Sequence, residues 1–216
     1  MTSRPTATSF AILGLLGIQP WTAYELVAQS RRSLHWFWPR SEAHLYAELK
    51  RIVERGHAEA AVVHGRSERS QRTRYTITAE GRVALADWLR TEPAPATLEV
   101  EGMLRVLFAD QSSTADLRAA IETTARQTLQ RRREGLPLIE ELLSNGGHFP
   151  QRAHLTERLV AFYDEFNHLL LQWCDETLAE IDTWPDTRDV GLTPRGRERL
   201  ERVVDHEPDS PRGARG

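Results

Sequence analysis

The chain has 216 residues and a formal net charge of -3, which is enough length for one medium domain or two small ones with a buried core. An intramolecular disulfide is excluded because Cys174 is the only cysteine, and the apolar runs are shorter than the roughly 20 residues that cross a bilayer. With no secretory signal ahead of the first apolar run, these features predict a cytoplasmic protein without membrane contact.

Two helices are predicted near the amino terminus. Residues 8–17 form a compact apolar run, which indicates a buried helix. Gln19 and Pro20 interrupt this run, and Thr22 then stands where a second helix needs an N-cap. Glu25, at the third helical position, is expected to complete a capping box with Thr22.

A third helix is predicted to end at Gly56, because glycine accepts the left-handed conformation that terminates a helix. Pro39 suits the first turn of this helix, and Ser41 is its candidate N-cap. Apolar side chains recur at helical spacing on one face, and the opposite face is polar and mixed in charge. The apolar positions are Leu45, Leu49, Ile52 and Val53.

The residues after the third helix predict a β-hairpin with a cationic tip. Residues 58–64 form a short extended run, and residues 73–78 alternate β-branched and aromatic side chains, so the two segments are expected to pair as antiparallel strands. The arginines between and within them outnumber Glu68 and suit the phosphate backbone of DNA. A helix, a hairpin and the start of another helix together predict a winged helix-turn-helix.

The charge of the chain changes sign near residue 92. Residues 1–91 carry 13 Lys and Arg against 8 Asp and Glu, a balance of +5, and the remainder carries 15 against 23, a balance of -8. Such a polarised chain is typical of a protein that holds DNA at one end. The winged helix is therefore interpreted as a DNA-binding unit, with phosphate contacts at the wing and base contacts at the helix.

The candidate DNA contacts lie on the third helix and on the hairpin. Two of them have a structural alternative, since Ser41 is equally suited to capping the helix and Tyr46 to packing over its start. The arginine-rich tip, taken alone, is also compatible with a solvated turn. The full set of candidates is Ser41, His44, Tyr46, Lys50, Arg66, Arg69, Arg72 and Arg74.

Residues 93–96 have the composition of a linker, and the pattern beyond them is helical. After a short helix, a longer one is predicted from a cap at residues 112–114 to Leu143, with Gly135 and Pro137 expected to kink or divide it. The second half of the chain is therefore predicted to be a helical domain.

The last long helix has the most regular pattern. Its apolar residues are spaced alternately four and three apart, as in the heptad seam of a coiled coil. Part of this seam could pack within the chain, but a two-fold homodimer would bury more of it and would set two DNA-facing helices about 34 Å apart. Its aromatic members are expected to be core residues, with an effector pocket as the alternative. The predicted dimerisation residues are Leu155, Leu159, Phe162, Phe166, Leu169 and Trp173.

Four short motifs resemble the PadR family of bacterial transcriptional regulators: AILGLLG in the first helix, YEL in the second, LYAELKRIVERG in the third and RYTITAEGR at the end of the wing. The resemblance covers residues 8–90 and is architectural beyond them. It implies a homodimeric repressor whose helical C-terminal part forms the dimer, and some members of the family sense small aromatic or phenolic molecules or drugs. It also implies that Tyr46 and Lys50 lie on the DNA-facing helix, with Arg72 and Arg74 on the wing.

The predicted fold class is mainly α with a small β-hairpin wing, a winged helix-turn-helix followed by an α-helical dimerisation domain. The expected domains are 1–92 for DNA binding, 93–184 for dimerisation and effector binding, and 185–216 as a mostly disordered tail with a short helix near Arg195–Val204.

The predicted function is that of a transcriptional regulator, a homodimeric repressor of a palindromic double-stranded DNA operator that a small aromatic effector releases. The alternatives are a MarR-like regulator and a protein-interaction module that uses the winged helix for a protein partner. An enzyme is not expected, and no metal ion or cofactor is predicted, because the sequence has no recognisable catalytic, metal-binding or phosphate-loop motif.

Overall fold

Four α-helices and three strands form the first of two units in this computed structural model, which describes residues 4–64 and 71–205. The units are Met1–Ala96 and Thr97–Gly216. The predicted fold class, mainly α with a small β-hairpin wing, is confirmed. In the first unit the elements are α1 (Ala7–Ile18), β1 (Trp21–Thr22), α2 (Ala23–Ser33), α3 (Glu42–Glu54), β2 (Ala58–His64), β3 (Gln71–Ile77) and α4 (Ala79–Arg90).

The three strands form an antiparallel sheet in the order β1-β3-β2. Ala58 of β2 is opposite Ile77 of β3, and β1 pairs with the other edge of β3, where Trp21 is opposite Tyr75. The alternating side chains predict β2 and β3, and both strands are present. A strand of two residues is too short to have a period, so β1 is not predicted by the sequence pattern.

The core of the first unit lies where α1 and α3 pack together and α2 and β3 close around them. Burying one large aliphatic side chain contributes about 1.5–3 kcal/mol to folding. The shared core therefore holds α3 firmly while its opposite face stays free. The large apolar side chains with less than 2% of their surface exposed are Ile12, Leu13, Leu16, Leu26 and Ile52.

The start of α2 has the predicted cap. Thr22 is the N-cap residue, and its hydroxyl accepts a hydrogen bond from the backbone N–H of Glu25. The Glu25 carboxylate accepts one in return from the N–H of Thr22 at 2.8 Å, so the predicted capping box is confirmed. Just before it, the indole N–H of Trp21 donates to the carbonyl oxygen of Leu15 and ties the turn to α1.

The two ends of α3 are also set by local residues. Ser41 is the N-cap, with its hydroxyl accepting from the backbone N–H of His44, and Gly56 follows the helix with a left-handed φ of 74°. One detail of the prediction is wrong: α3 begins at Glu42, so Pro39 precedes the cap instead of standing in the first turn. The Ser41 hydroxyl decides the start because it satisfies an otherwise unbonded N–H group.

The second unit is helical, and α6 (Thr114–Asn145) and α7 (Ala153–Ile181) are its main packing pair. Leu117 and Ile121 of α6 and Cys174 and Ile181 of α7 form the buried cluster between them. Burial, together with the nearby charge of Asp175, raises the pKa of the Cys174 thiol to about 11. The helices described in this unit are α5 (Glu101–Leu107), α6 (Thr114–Asn145), α7 (Ala153–Ile181) and α8 (Pro194–Asp205).

Helix α6 is continuous over 32 residues, so of the two predicted effects of Gly135 and Pro137, a kink or a division, the division does not occur. A proline inside a helix removes one backbone N–H and costs about 3 kcal/mol. The long contact with α7 offsets this cost, which the local sequence pattern does not reveal. Helix α6 ends at Asn145, two residues after the predicted Leu143, and Gly146 is left-handed at the C-cap with φ 81°.

Part of the tail is folded onto the second unit. The buried carboxylate of Glu180 accepts hydrogen bonds from the hydroxyl of Thr193 and the guanidinium of Arg199, and Thr187 donates to the carbonyl oxygen of Ser112. The short helix near residues 195–204 is confirmed as α8. Residues 185–205 thus differ from the expected disordered tail: polar contacts hold them in place, although their sequence has no apolar periodicity. The expectation for 206–216 lies outside the described residues.

We predict that Gly81→Ala will destabilise the first unit. A Cβ at this position would overlap the carbonyl oxygen of His57, so the start of α4 would have to move away from the turn after α3. Overpacking of this kind costs about 1–3 kcal/mol, measurable by urea unfolding. Gly14→Ala is the control: it has no neighbour within 4 Å and should stabilise α1 by about 0.5–1 kcal/mol. Equal stability of the two variants would contradict the close approach.

Candidate nucleic-acid interface

The outward face of α3 carries two of the predicted DNA contacts in exposed positions, Tyr46 and Lys50. The ammonium nitrogen of Lys50 lies 3.8 Å from a carboxylate oxygen of Glu54. A loose ion pair between two exposed side chains contributes little free energy. The Lys50 ammonium is therefore available to an anion such as a DNA phosphate.

The other two candidates, Ser41 and His44, lie at the start of α3. Ser41 caps the helix through its hydroxyl, and His44 is half-buried with its backbone N–H bonded to that hydroxyl. The structure thus supports the capping alternative for Ser41. The exposed ion pair of Arg31 and Glu42 lies beside this cap.

The described part of the wing presents two of its four predicted arginines. Arg72 and Arg74 are exposed on β3 and, being two residues apart in a strand, lie on the same face of the sheet. Arg74 is opposite Thr22, which caps α2. Arg66 and Arg69 lie outside the described residues. The wing therefore brings cations next to the first turn of α2.

A groove of about 620 Å³ separates the start of α2 from β3. The hydrogen bond from the Thr22 backbone lowers the pKa of Glu25, burial opposes this, and the charges of Arg74 and Arg72 lower it further. The Glu25 carboxylate is thus ionised at neutral pH, and both arginines are close enough to act on it. The groove is lined by Thr22, Ala23, Tyr24, Glu25, Arg72, Thr73 and Tyr75.

Tyr24 is a surface residue outside the set of predicted DNA contacts. Its side chain is 77% exposed at the rim of this groove. Its place in the first turn, two residues after the cap Thr22, is the signal that could have identified it. A phenolic hydroxyl there can donate a hydrogen bond to a phosphate oxygen.

The aromatic residues before α3 hold the connecting loop in place. The indole N–H of Trp38 donates to the Thr8 hydroxyl at 3.2 Å, which links the loop to α1. The guanidinium of Arg40 lies 4.5 Å from the centre of the Trp38 ring, a cation–π arrangement. Through Trp38 the loop before α3 is held against α1.

Helix α7 has two apolar stripes. One is buried within the second unit and includes Leu170, Cys174 and Ile181. The predicted heptad seam lies about one residue earlier along the helix. Its members Phe166 and Trp173 are half-buried, and Trp173 packs against the core. Most of that seam is not covered by the described part of the chain. The exposed seam residues are Leu155 (47%), Leu159 (51%), Phe162 (73%) and Leu169 (64%).

Within residues 4–64 and 71–205, no helix combines the length and apolar character needed to cross a membrane. In the same residues, no three His, Cys, Asp or Glu side chains lie close enough together to hold a metal ion.

The winged fold, with exposed cations on α3 and on β3, defines the class of winged-helix transcriptional regulators. Residues 12–87 match the family model described as "Transcriptional regulator PadR-like family". This match lies in the winged-helix unit, which is therefore PadR-like.

Known relatives match a much larger part of the chain. The chain is 27% identical over 183 residues to the negative transcriptional regulator PadR of Bacillus subtilis (strain 168), covering 80% of this chain and 96% of that protein. It is similar to the crystal structure of Bacillus subtilis PadR in complex with operator DNA, with a TM-score of 0.67, 22% identity, and 82% and 99% of the two chains covered. For Bacillus subtilis PadR in complex with p-coumaric acid the TM-score is 0.60 at 26% identity, with the same two shares covered.

We predict that the double variant Arg72→Ala, Arg74→Ala will bind every DNA duplex more weakly. Each lost phosphate contact lowers the slope of log affinity against log salt by roughly 0.9, so the slope should fall by up to about 1.8 in a fluorescence anisotropy titration. The matched control is Arg105→Ala, Arg158→Ala, which removes the same charge from exposed sites in the second unit and should keep the slope. Equal slopes for the wing variant and the wild type would show that these arginines do not contact phosphates.

Proposed function

We propose that this protein is a homodimeric repressor that binds a palindromic operator in double-stranded DNA through α3 and the wing, and that a small aromatic effector releases it. One observation carries the proposal: exposed cations on α3 and β3 occur in a basic unit whose chain continues into an acidic helical unit with an uncovered apolar seam. The exposed cations of the basic unit suit DNA binding, and the uncovered apolar seam suits contact with another copy of the chain.

The DNA contacts divide into two kinds. Tyr46 and Lys50 on α3 are placed to approach base edges in a major groove, and the wing arginines are placed to neutralise phosphates. Ser41 contributes by fixing the start of α3, where its free N–H groups favour an anion. The remaining members of the proposed set are His44, Arg66, Arg69, Arg72 and Arg74.

The dimer is proposed from the seam of α7. Monomers rarely expose a contiguous row of large apolar side chains, and such rows mark interaction sites. Phe162 and Leu169 are exposed here, on a helix whose neighbouring stripe already serves the core of its own unit. A two-fold partner would cover the row with the same row from the second copy, completed by Leu155, Leu159, Phe166 and Trp173.

The proposed repression and effector release are inferred from what is known of the relatives. One of them is named a negative transcriptional regulator, and Bacillus subtilis PadR has been crystallised with operator DNA and with p-coumaric acid. An effector releases a repressor only if it binds the DNA-free arrangement of the dimer more tightly than the DNA-bound one. The proposed domains follow: 1–92 binds the operator, and 93–184 forms the dimer and receives the effector.

The proposal predicts a footprint on the DNA upstream of the gene that encodes this protein. DNase protection should cover two half-sites about 10 base pairs apart, or a multiple of that spacing, and adding p-coumaric acid should reduce the protection. Salt should weaken it, since phosphate contacts displace counterions. Protection that persists with the compound would contradict this effector class. Absence of any salt-sensitive shift on duplex DNA would favour a protein-interaction module instead.

We predict that Phe162→Glu will separate the dimer into monomers. A carboxylate in the middle of the seam would be buried without a partner, which is strongly unfavourable. Light scattering should then report 24.6 kDa instead of twice that mass, and operator affinity should fall at least tenfold. Gln172→Glu, at an exposed position of α7 outside the seam, is the control and should remain dimeric. A dimeric Phe162→Glu protein would place the interface elsewhere.

A further inference from the structure

Glu48 is a fully buried carboxylate on the inner face of α3. One of its oxygens accepts hydrogen bonds from the hydroxyl of Ser9 at 2.5 Å and from that of Thr6 at 3.3 Å. Thr6 is the N-cap residue of α1, and Ser9, the third residue of the helix, completes the capping box with it. The carboxylate therefore connects α3 to the start of α1 through two side chains whose own positions are fixed.

The other oxygen of Glu48 is paired with the guanidinium of Arg51, one turn further along α3. The Arg51 side chain is 48% exposed, so this pair reaches from the protein interior to the surface. A guanidinium has five N–H donors in a rigid fork. Glu48 can hold part of that fork and leave the outer part to bind an anion. Lys50, the neighbouring residue, is also exposed.

The buried group is charged at neutral pH. Burial raises the pKa of Glu48, but hydrogen bonds from Ser9 and Arg51, together with the Arg51 charge, outweigh this effect and lower the pKa overall. Replacing a buried ion pair with packed apolar residues is often neutral or stabilising. The presence of a carboxylate among apolar neighbours on α3 is therefore better explained by positioning than by stability.

We propose that Glu48 is a positioning residue for operator binding: it fixes α3 on the start of α1 and directs the Arg51 guanidinium to a DNA phosphate. This inference rests on the DNA-binding function proposed above and adds two residues to it. Arg51 would make the contact, and Glu48 would act through Arg51 without touching DNA.

The sign of the change in DNA affinity distinguishes the proposed positioning role from a purely electrostatic effect of Glu48. Removing a negative charge from a DNA-binding unit should tighten DNA binding, because the field around the site becomes more positive. Removing a group that positions a contact should weaken binding instead. Glu48→Gln keeps the shape of the side chain and removes its charge, so the two explanations predict opposite changes.

The experiment compares Glu48→Gln with Glu54→Gln, which removes the same charge from an exposed site on the same helix. The probe is a labelled duplex selected from a random library by the wild-type protein, titrated at several salt concentrations. We expect Glu48→Gln to weaken binding at least fivefold and to lower the salt slope by roughly 0.9, the value for one phosphate. Glu54→Gln should bind as tightly as the wild type or more tightly. Arg51→Ala should show the same loss of slope, and adding Glu48→Gln to it should cause little further loss.

Unfolding in urea is measured for every variant, and affinities are compared only among folded proteins. If Glu48→Gln does not fold, Arg51→Ala decides, because its side chain is half-exposed and its loss should leave the fold intact. Wild-type affinity and slope in Arg51→Ala would overturn the proposal, as would equal or tighter binding by a folded Glu48→Gln. If the wild type itself selects no duplex, the proposed function fails first, which is a different result from a variant that binds like the wild type.

Discussion

The packing of α3 against α1 is the contact on which the other features of this protein depend. Ile12 and Leu16 of α1 and Leu49 and Ile52 of α3 are buried in the core that the two helices share. Protein interiors are close-packed, so a helix held by several such side chains cannot rotate or slide without a large cost. The carboxylate of Glu48 lies in the same contact and adds directional hydrogen bonds to apolar packing. The exposed face of α3 is presented on a rigid support.

Helix α7, in the second unit, also has one buried face and one exposed face with different roles. Its buried stripe, which includes Leu170 and Cys174, maintains the fold of the second unit. The adjacent stripe, with Phe162 and Leu169, is left exposed. One helix can therefore stabilise its own unit and offer a surface to another molecule, because 3.6 residues per turn place neighbouring positions on different faces. Charge is divided along the chain as well, with the basic part in the winged helix and the acidic part beyond it.

Features that depend on local chemistry were predictable from the sequence, and features that depend on distant contacts were not. The capping box of Thr22 and Glu25 follows from residues three positions apart. Strand β1, by contrast, exists only because β3 pairs with it, and Pro137 stays within α6 because α7 packs along that helix. In the candidate site, the exposure of Lys50 follows from helical periodicity. The burial of Glu48 does not, because a carboxylate on a mixed face is ordinarily assigned to solvent.

The burial of Cys174 has a practical consequence for attaching probes to this protein. A thiol reacts as its thiolate, and a pKa of about 11 in a fully buried position keeps this one protonated and out of reach of reagents. Cys174 is also the sole native cysteine. A second cysteine engineered on an exposed site would therefore take up a spin label or a fluorophore selectively, without deletion of the native one. In the proposed dimer, distances between the labels of the two copies could then be followed in solution with the core left intact.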